Sequence, residues 1–142
     1  MTLSAAYAQV RAIQAALKAA LVAEAGEVPV ALGLPDKLQP QHIWIDGRVQ
    51  WNPDYDLSNG VESGRDITFT VQGFVQAAVS YEDLLERLEP LVGAISTAAQ
   101  SIAPEHVDHV RVVRGDLMNG VAADGKAKQL GIGCELVFIK WL

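Results

Sequence analysis

Positive charge, cysteine and long apolar runs are scarce in this chain, and each scarcity removes a class of function. Lys and Arg number 11 against 17 Asp and Glu, a formal net charge of −6, so broad binding to a phosphate backbone, which draws on concentrated Lys and Arg, is not expected. The single cysteine, Cys134, cannot close an internal disulfide, and it falls within an apolar strand pattern that suits a reducing compartment. Half of the residues are apolar, yet no run approaches the roughly 20 needed to cross a bilayer. No basic segment followed by an apolar one opens the sequence, so no secretory signal is read there. Also missing are a phosphate loop, a dinucleotide fingerprint, a nucleophile elbow and a zinc-ligand series. His106 and His109, flanked by Glu105 and Asp108, are the best candidates for metal or acid-base chemistry. They follow Pro104 and enter a strand, where residues three apart point to opposite faces. No catalytic residue, cofactor-binding residue or metal ligand is therefore assigned, and the reading is of a protein that is not an enzyme and carries no cofactor.

What the sequence does contain is organised around residues 66–102. Ile67, Phe69 and Val71 alternate with Thr68, Thr70 and Gln72, the signature of a strand with one dry and one wet face. Phe74 falls on the polar parity, so either a bulge re-aims it or something outside the fold covers it, which makes it an interface candidate. Ser80 has the chemistry of an N-cap, Glu82 and Asp83 sit where the helix dipole favours negative charge, and Val79 and Leu84 are spaced for a hydrophobic staple. Leu84, Leu85, Leu88, Leu91, Val92, Ile95, Ala99 and Ile102 then recur on one helical face. Pro90 predicts a kink or break in that helix.

Before this unit, residues 3–24 read as an Ala-rich amphipathic helix with Leu3, Tyr7, Val10, Ile13, Leu17 and Leu21 on its stripe, stopped by Gly26. Val28-Pro29-Val30 suggests an edge strand. Residues 42–51 predict a two-residue hairpin turning at Asp46-Gly47, with His42, Trp44, Val49 and Trp51 on one face. Residues 52–65 read as a long exposed loop anchored by Tyr55 and Leu57, which at that length suggests a partner. After the helix, residues 107–114 and 130–142 pair as an antiparallel hairpin around an irregular arm, 115–129. Arg111, Arg114, Lys126 and Lys128 gather the positive charge there, either for a partner or to blunt a sheet edge. The sum is one α+β domain, residues 1–142: a single mainly antiparallel sheet of four to five strands with two main helices, one N-terminal and one central after the long strand.

This order of elements resembles the tail-terminator, or tail-completion, proteins of long-tailed bacteriophages. The resemblance rests on the 3–24 helix, Val28-Pro29-Val30, the run from Asp66 to Val71 leading into Ser80-Tyr81-Glu82-Asp83-Leu84-Leu85, and the apolar stretch 135–142. It spans nearly the whole chain without a diagnostic motif. It implies a virion protein of the tail or neck, assembled in the host cytoplasm. Such a protein forms a six-membered homo-oligomeric ring that caps the tail tube, stops its polymerisation and provides the head–tail joining surface. The implied partners are other copies of the chain, the tail-tube protein and the head–tail connector or neck protein, with DNA passing through the lumen without specific binding and no membrane involved. The candidate interface residues are Trp44, Trp51, Tyr55, Phe74, Trp141, Arg111, Arg114, Lys126 and Lys128. Two alternatives stay open: a neck or head-completion ring protein, and a stand-alone α+β ligand-binding or regulatory domain with Trp44 and Trp51 lining a pocket.

Overall fold

The alternating run through Ile67, Phe69 and Val71 is the middle of a 16-residue strand, Glu62–Ala77, that the rest of the sheet is laid against. The computed structural model describes residues 3–55, 62–102 and 107–141. In chain order these form α1 (Leu3–Ala25), β1 (Val30–Leu32), β2 (Gln41–Ile45), β3 (Gln50–Tyr55), β4 (Glu62–Ala77), α2 (Tyr81–Gln100), β5 (His109–Val121) and β6 (Lys128–Trp141). Among the described residues the sheet has six strands in the order β1-β2-β4-β6-β5, with β3 also paired to β4. Every pairing is antiparallel except β1 with β2. The α+β class read from the sequence is the class observed, with a strand more than expected.

That extra strand comes from a misread turn. The segment 42–51 is not a hairpin: β2 pairs with the upper half of β4 (Gln41 opposite Val75, Ile45 opposite Val71) and β3 with the lower half (Gln50 opposite Thr68, Trp51 opposite Ile67). The two run the same way along one side of β4, separated by a jog at 46–49. Asp46 fastens the jog. Its N–H donates to the Thr70 carbonyl at 2.8 Å, and its carboxylate accepts from Trp44 Nε1 at 3.1 Å and from Gln72 Nε2 at 3.2 Å. Because the chain never reverses, odd and even residues keep their sides. Ile43 and Ile45 are fully buried on the side that the helices cover, and His42 and Trp44 take the other. Trp51, opposite Ile67, belongs to the helix side, where it and Val49 pack against the core. The expected shared face of His42, Trp44, Val49 and Trp51 does not form.

The predicted loop 52–65 is likewise mostly strand. Pro53 pairs with Arg65 inside β3, which proline tolerates because the outer side of β3 has no neighbouring strand among the described residues. Tyr55 ends β3, but its side chain, like residues 56–61 with Leu57, lies outside the described residues.

Both helices lie on one side of the sheet. α2 packs over β4 and β6, and α1 packs on α2 and β1. Ile13, Leu17 and Leu21 of α1 and Leu84, Leu88, Leu91 and Ile95 of α2 meet Ile67, Phe69, Val71, Leu130, Leu136 and Phe138 of the sheet in one core. Phe69 and Phe138 cross edge to face, their centroids 5.5 Å apart, the arrangement that ring quadrupoles favour. Ser80 caps α2 as expected: its Oγ accepts from the Asp83 N–H at 3.2 Å, while Val79 packs on the core beside buried Leu84. The helix passes Pro90 without a break. Pro90 and Glu86 are exposed, so the Glu86 carbonyl that loses its donor faces water. Gly26, with φ of 62°, ends α1 in the left-handed conformation predicted for it. Leu3 and Tyr7, read as part of the buried stripe of α1, are in fact exposed, and Ala6, Val10, Ile13, Leu17 and Leu21 carry the burial.

Candidate functional site

The arm that sequence reading left irregular is an ordered two-stranded extension. β5 and β6 pair from His109 opposite Ile139 to Val121 opposite Lys128, with one bulge between Val112 and Arg114. Asn119-Gly120, within the segment 115–129 expected to be irregular, is inside β5. The reversal is at Asp124-Gly125, where Asp124 Oδ1 accepts the N–H groups of Lys126 at 2.8 Å and Ala127 at 3.1 Å and Gly125 takes a φ of 71°. These two donors favour the ionised side chain and hold the Asp124 pKa below the ordinary aspartate value.

β5 is the outermost strand on its side of the sheet, and every residue from 111 to 121 is exposed. The register puts Val112, Leu117 and Val121 on the helix-covered side, opposite Leu136, Ile132 and Lys128. α2 stops over β6, so these three stand beyond its flank with relative exposures of 66%, 54% and 63%. Val113 and Met118 are exposed as well. A strip of this kind on an unpaired edge is what soluble proteins ordinarily cover or blunt.

The four basic candidates, Arg111, Arg114, Lys126 and Lys128, are brought together along this arm and are all exposed. Arg114 is engaged by Asp116 through a 3.1 Å ion pair. The aromatic candidates do not join them. Trp44 is half-buried and stands edge-on to His42 at 6.2 Å, whereas Trp51 is on the other side of the sheet. One pocket lined by both tryptophans is therefore excluded by geometry. Phe74 is not re-aimed by a bulge, since β4 pairs with β6 in unbroken register. It lies on the open side between His42 and Gly131 and is only 8% exposed. A glycine opposite leaves room for the ring to lie against the sheet, so a single copy covers Phe74 and it offers a partner little surface. Trp141 is 61% exposed next to Gly64, its backbone N–H held by Asp108 Oδ2 at 2.7 Å.

Two buried polar residues escaped the sequence reading. Arg65 is nearly fully buried on the helix side and donates to Gln9 of α1. Extending the alternation back from Ile67 by one step would have placed it there. His42 is buried on the open side, its Nδ1 accepting the Gln39 N–H at 3.4 Å, and burial lowers its pKa. Cys134 is buried opposite Val71, and burial pushes its thiol pKa up. Nothing among the described residues gathers three metal-ligating side chains, and no helix there is long and apolar enough to cross a membrane. His109 is exposed at the start of β5, and His106 lies outside the described residues. One groove on the open side runs along Thr70, Gln72, Asp116 and Glu135 and is bounded by Leu117 and Met118 of β5.

No protein-family model matches the chain, and no curated protein does. Among solved structures, it is similar to a chain from the virion of a native gene transfer agent particle. The TM-score is 0.54 at 15% identity, over 94% of this chain and 98% of that one. At that identity the likeness establishes a shared fold over almost the whole of both chains.

Proposed function

We propose that this chain is a structural protein of a phage-like virion, and specifically a tail terminator: a ring of six copies that caps the tail tube, halts its growth and offers the joining surface for the head. The observation that carries the reading is the β5 arm. It is an ordered 13-residue edge strand that keeps apolar and basic side chains in water on a subunit whose core is already complete. A strip of this kind marks an interaction surface, and a subunit built to be covered by neighbours has a use for it. The fold shared with a chain of a gene transfer agent virion supports the same class. The net charge of −6 fits a channel wall that does not hold passing phosphates.

The test is electron microscopy of the purified chain mixed with tail-tube subunit, together with native mass spectrometry of the chain alone. Tubes that stop short and end in a ring of this chain are the expected result. Tubes of unchanged length with bare ends would defeat the proposal. A ring that binds isolated head connectors and leaves tubes untouched would move the assignment to the neck.

A further inference from the structure

The two ends of the sheet differ, and their differences match. We infer that the β5 edge of one copy docks antiparallel against the β1 edge of the next copy, so that successive sheets join side by side. This rests on the ring reading above and specifies the surface that builds the ring.

The strand directions follow from the pairings: β1 and β2 run together, β4 opposes them, β6 opposes β4 and β5 opposes β6. β5 thus runs opposite to β1. A rotation about an axis parallel to the strands brings the free side of β5 to the free side of a neighbour's β1 as an antiparallel pair, the better-bonded kind. This contact is heterologous, since it uses two different surfaces, and repeated rotation closes it into a ring.

Level and side also agree. Tracing partners across the sheet from Val30 through Ile43, Gly73 and Ile132 reaches Leu117. Leu32, two residues past Val30 and level with Gly115, lies with Leu117 on the helix-covered side at the opposite edge, their relative exposures 47% and 54%. Leu34 and Leu38, in the segment that follows β1, are exposed as well. The shelf of Val112, Leu117 and Val121 that α2 leaves uncovered is thereby roofed by the neighbour.

Charge complementarity points to a second copy as the occupant. On the arm three carboxylates are engaged, Asp116 by Arg114, Asp124 by the turn amides, and Asp108 by Lys140 at 3.7 Å and the Trp141 N–H, while Glu135 stands opposite Arg114 in the ladder. Arg111, Lys126 and Lys128 remain as its outward charges. Around β1, Glu24, Glu27 and Asp36 are exposed, against Lys37 and against Arg87, which lines the same groove as Glu27. Glu27 shares a groove with Val75 and Gln76 at the top of β4, the end from which the tip carrying Lys126 and Lys128 extends. In the rotated neighbour, lysines meet glutamates.

The test uses the full chain, assembled alone or on tubes of tail-tube subunit, with Leu117→Cys and Leu32→Cys as two separate surface variants and a short bis-maleimide. Native Cys134 is buried, and wild type serves as the unlinked control. Mixing the two variants should yield 117–32 links between copies, with neither variant linking to itself. Separately, Lys126→Glu with Lys128→Glu should weaken assembly on the order of tenfold or more through like-charge contact, and adding Glu24→Lys with Glu27→Lys should restore it. Assembly that persists with no 117–32 link, that links either variant to itself, or that ignores the charge reversals overturns the edge pairing and leaves the ring reading intact. Wild type that neither associates nor caps tubes overturns the ring reading and this pairing with it.

Discussion

Whether Asp46-Gly47 is a hairpin turn or a jog in a continuing strand decides the topology of half the sheet, and one pair of alanine substitutions separates the two. A two-residue hairpin of the favoured type needs a positive φ at its glycine. In this structure Gly47 has no positive φ, and a Cβ built on it meets nothing within 4 Å. Gly47→Ala therefore costs the folded state nothing and restricts the unfolded chain, a gain of about 0.4–1 kcal/mol. Gly125 is the contrast: its φ is 71°, where a Cβ crowds the following carbonyl for about 1–2 kcal/mol. Less the same chain-entropy gain, Gly125→Ala should destabilise by about 1 kcal/mol. At about 2.1 cal/mol/K per residue, a chain of this length unfolds with an entropy of about 0.3 kcal/mol/K. The two variants should thus move Tm by about 1–3 °C upward and about 3 °C downward. Urea titration followed by tryptophan fluorescence, with calorimetry alongside, measures both. If Gly47→Ala destabilises by as much as Gly125→Ala, the backbone at 47 is left-handed, the hairpin is real, and the placement of β2 and β3 along β4 is wrong.

Three further outcomes follow from the core and its buried polar groups. Phe69→Ala should cost about 3–5 kcal/mol, and a double-mutant cycle with Phe138→Ala should return a coupling of about 0.5–1.5 kcal/mol for the edge-to-face pair; purely additive costs would deny the ring contact. Burial lowers the His42 pKa in the folded state, so the unfolded chain takes up a proton first as pH falls. Its contribution is complete above the unfolded value near 6.5 and declines below it toward the depressed folded value. Stability measured between pH 8 and 5 should therefore fall more steeply for wild type than for His42→Gln, and equal slopes would contradict the assigned burial. Cys134, buried with a raised pKa, should react with a maleimide only at the rate of unfolding; rapid labelling of the native chain would place it at the surface.

The elements that were legible in the sequence are those fixed by local chemistry. Ser80 and its acidic first turn, the glycine after α1, and the alternation through Ile67 and Val71 each satisfy a backbone requirement within a few residues, so they read correctly without knowledge of the fold. Misreadings fell where a local signal served a longer-range purpose. Asp46-Gly47 has the composition of a turn, but the carboxylate of Asp46 is used across the sheet to hold Trp44 and Gln72. Asn119-Gly120 has the same composition, yet β6 continues alongside it and the strand persists to Val121. The candidate interface divided in the same way. The basic residues of the arm are exposed as their charge suggested. Phe74 is not, because whether a large ring on the wet face is free depends on its neighbours across the sheet, here His42 and Gly131, and no periodicity encodes those.

An edge strand able to recruit a neighbour is also able to recruit without limit, so the proposed pairing must contain its own stop. It has one on each side. On the donor edge, the bulge between Val112 and Arg114 interrupts the ladder of β5, and a bulged edge twists away from a flat partner. On the acceptor edge, β1 has three residues, with Pro29 before it and Gly33, at φ of 76°, after it. Below β1 the free edge is β3, where Pro53 has no N–H to give. A neighbour's β5 can thus form only a few backbone bonds at one level. The rest of the contact has to come from the side chains of the shelf and from the charges at the tip. Recognition that depends on side chains fixes one rotation between successive copies, and it is a rotation that returns to its start that separates a closed ring from an open ribbon of strands.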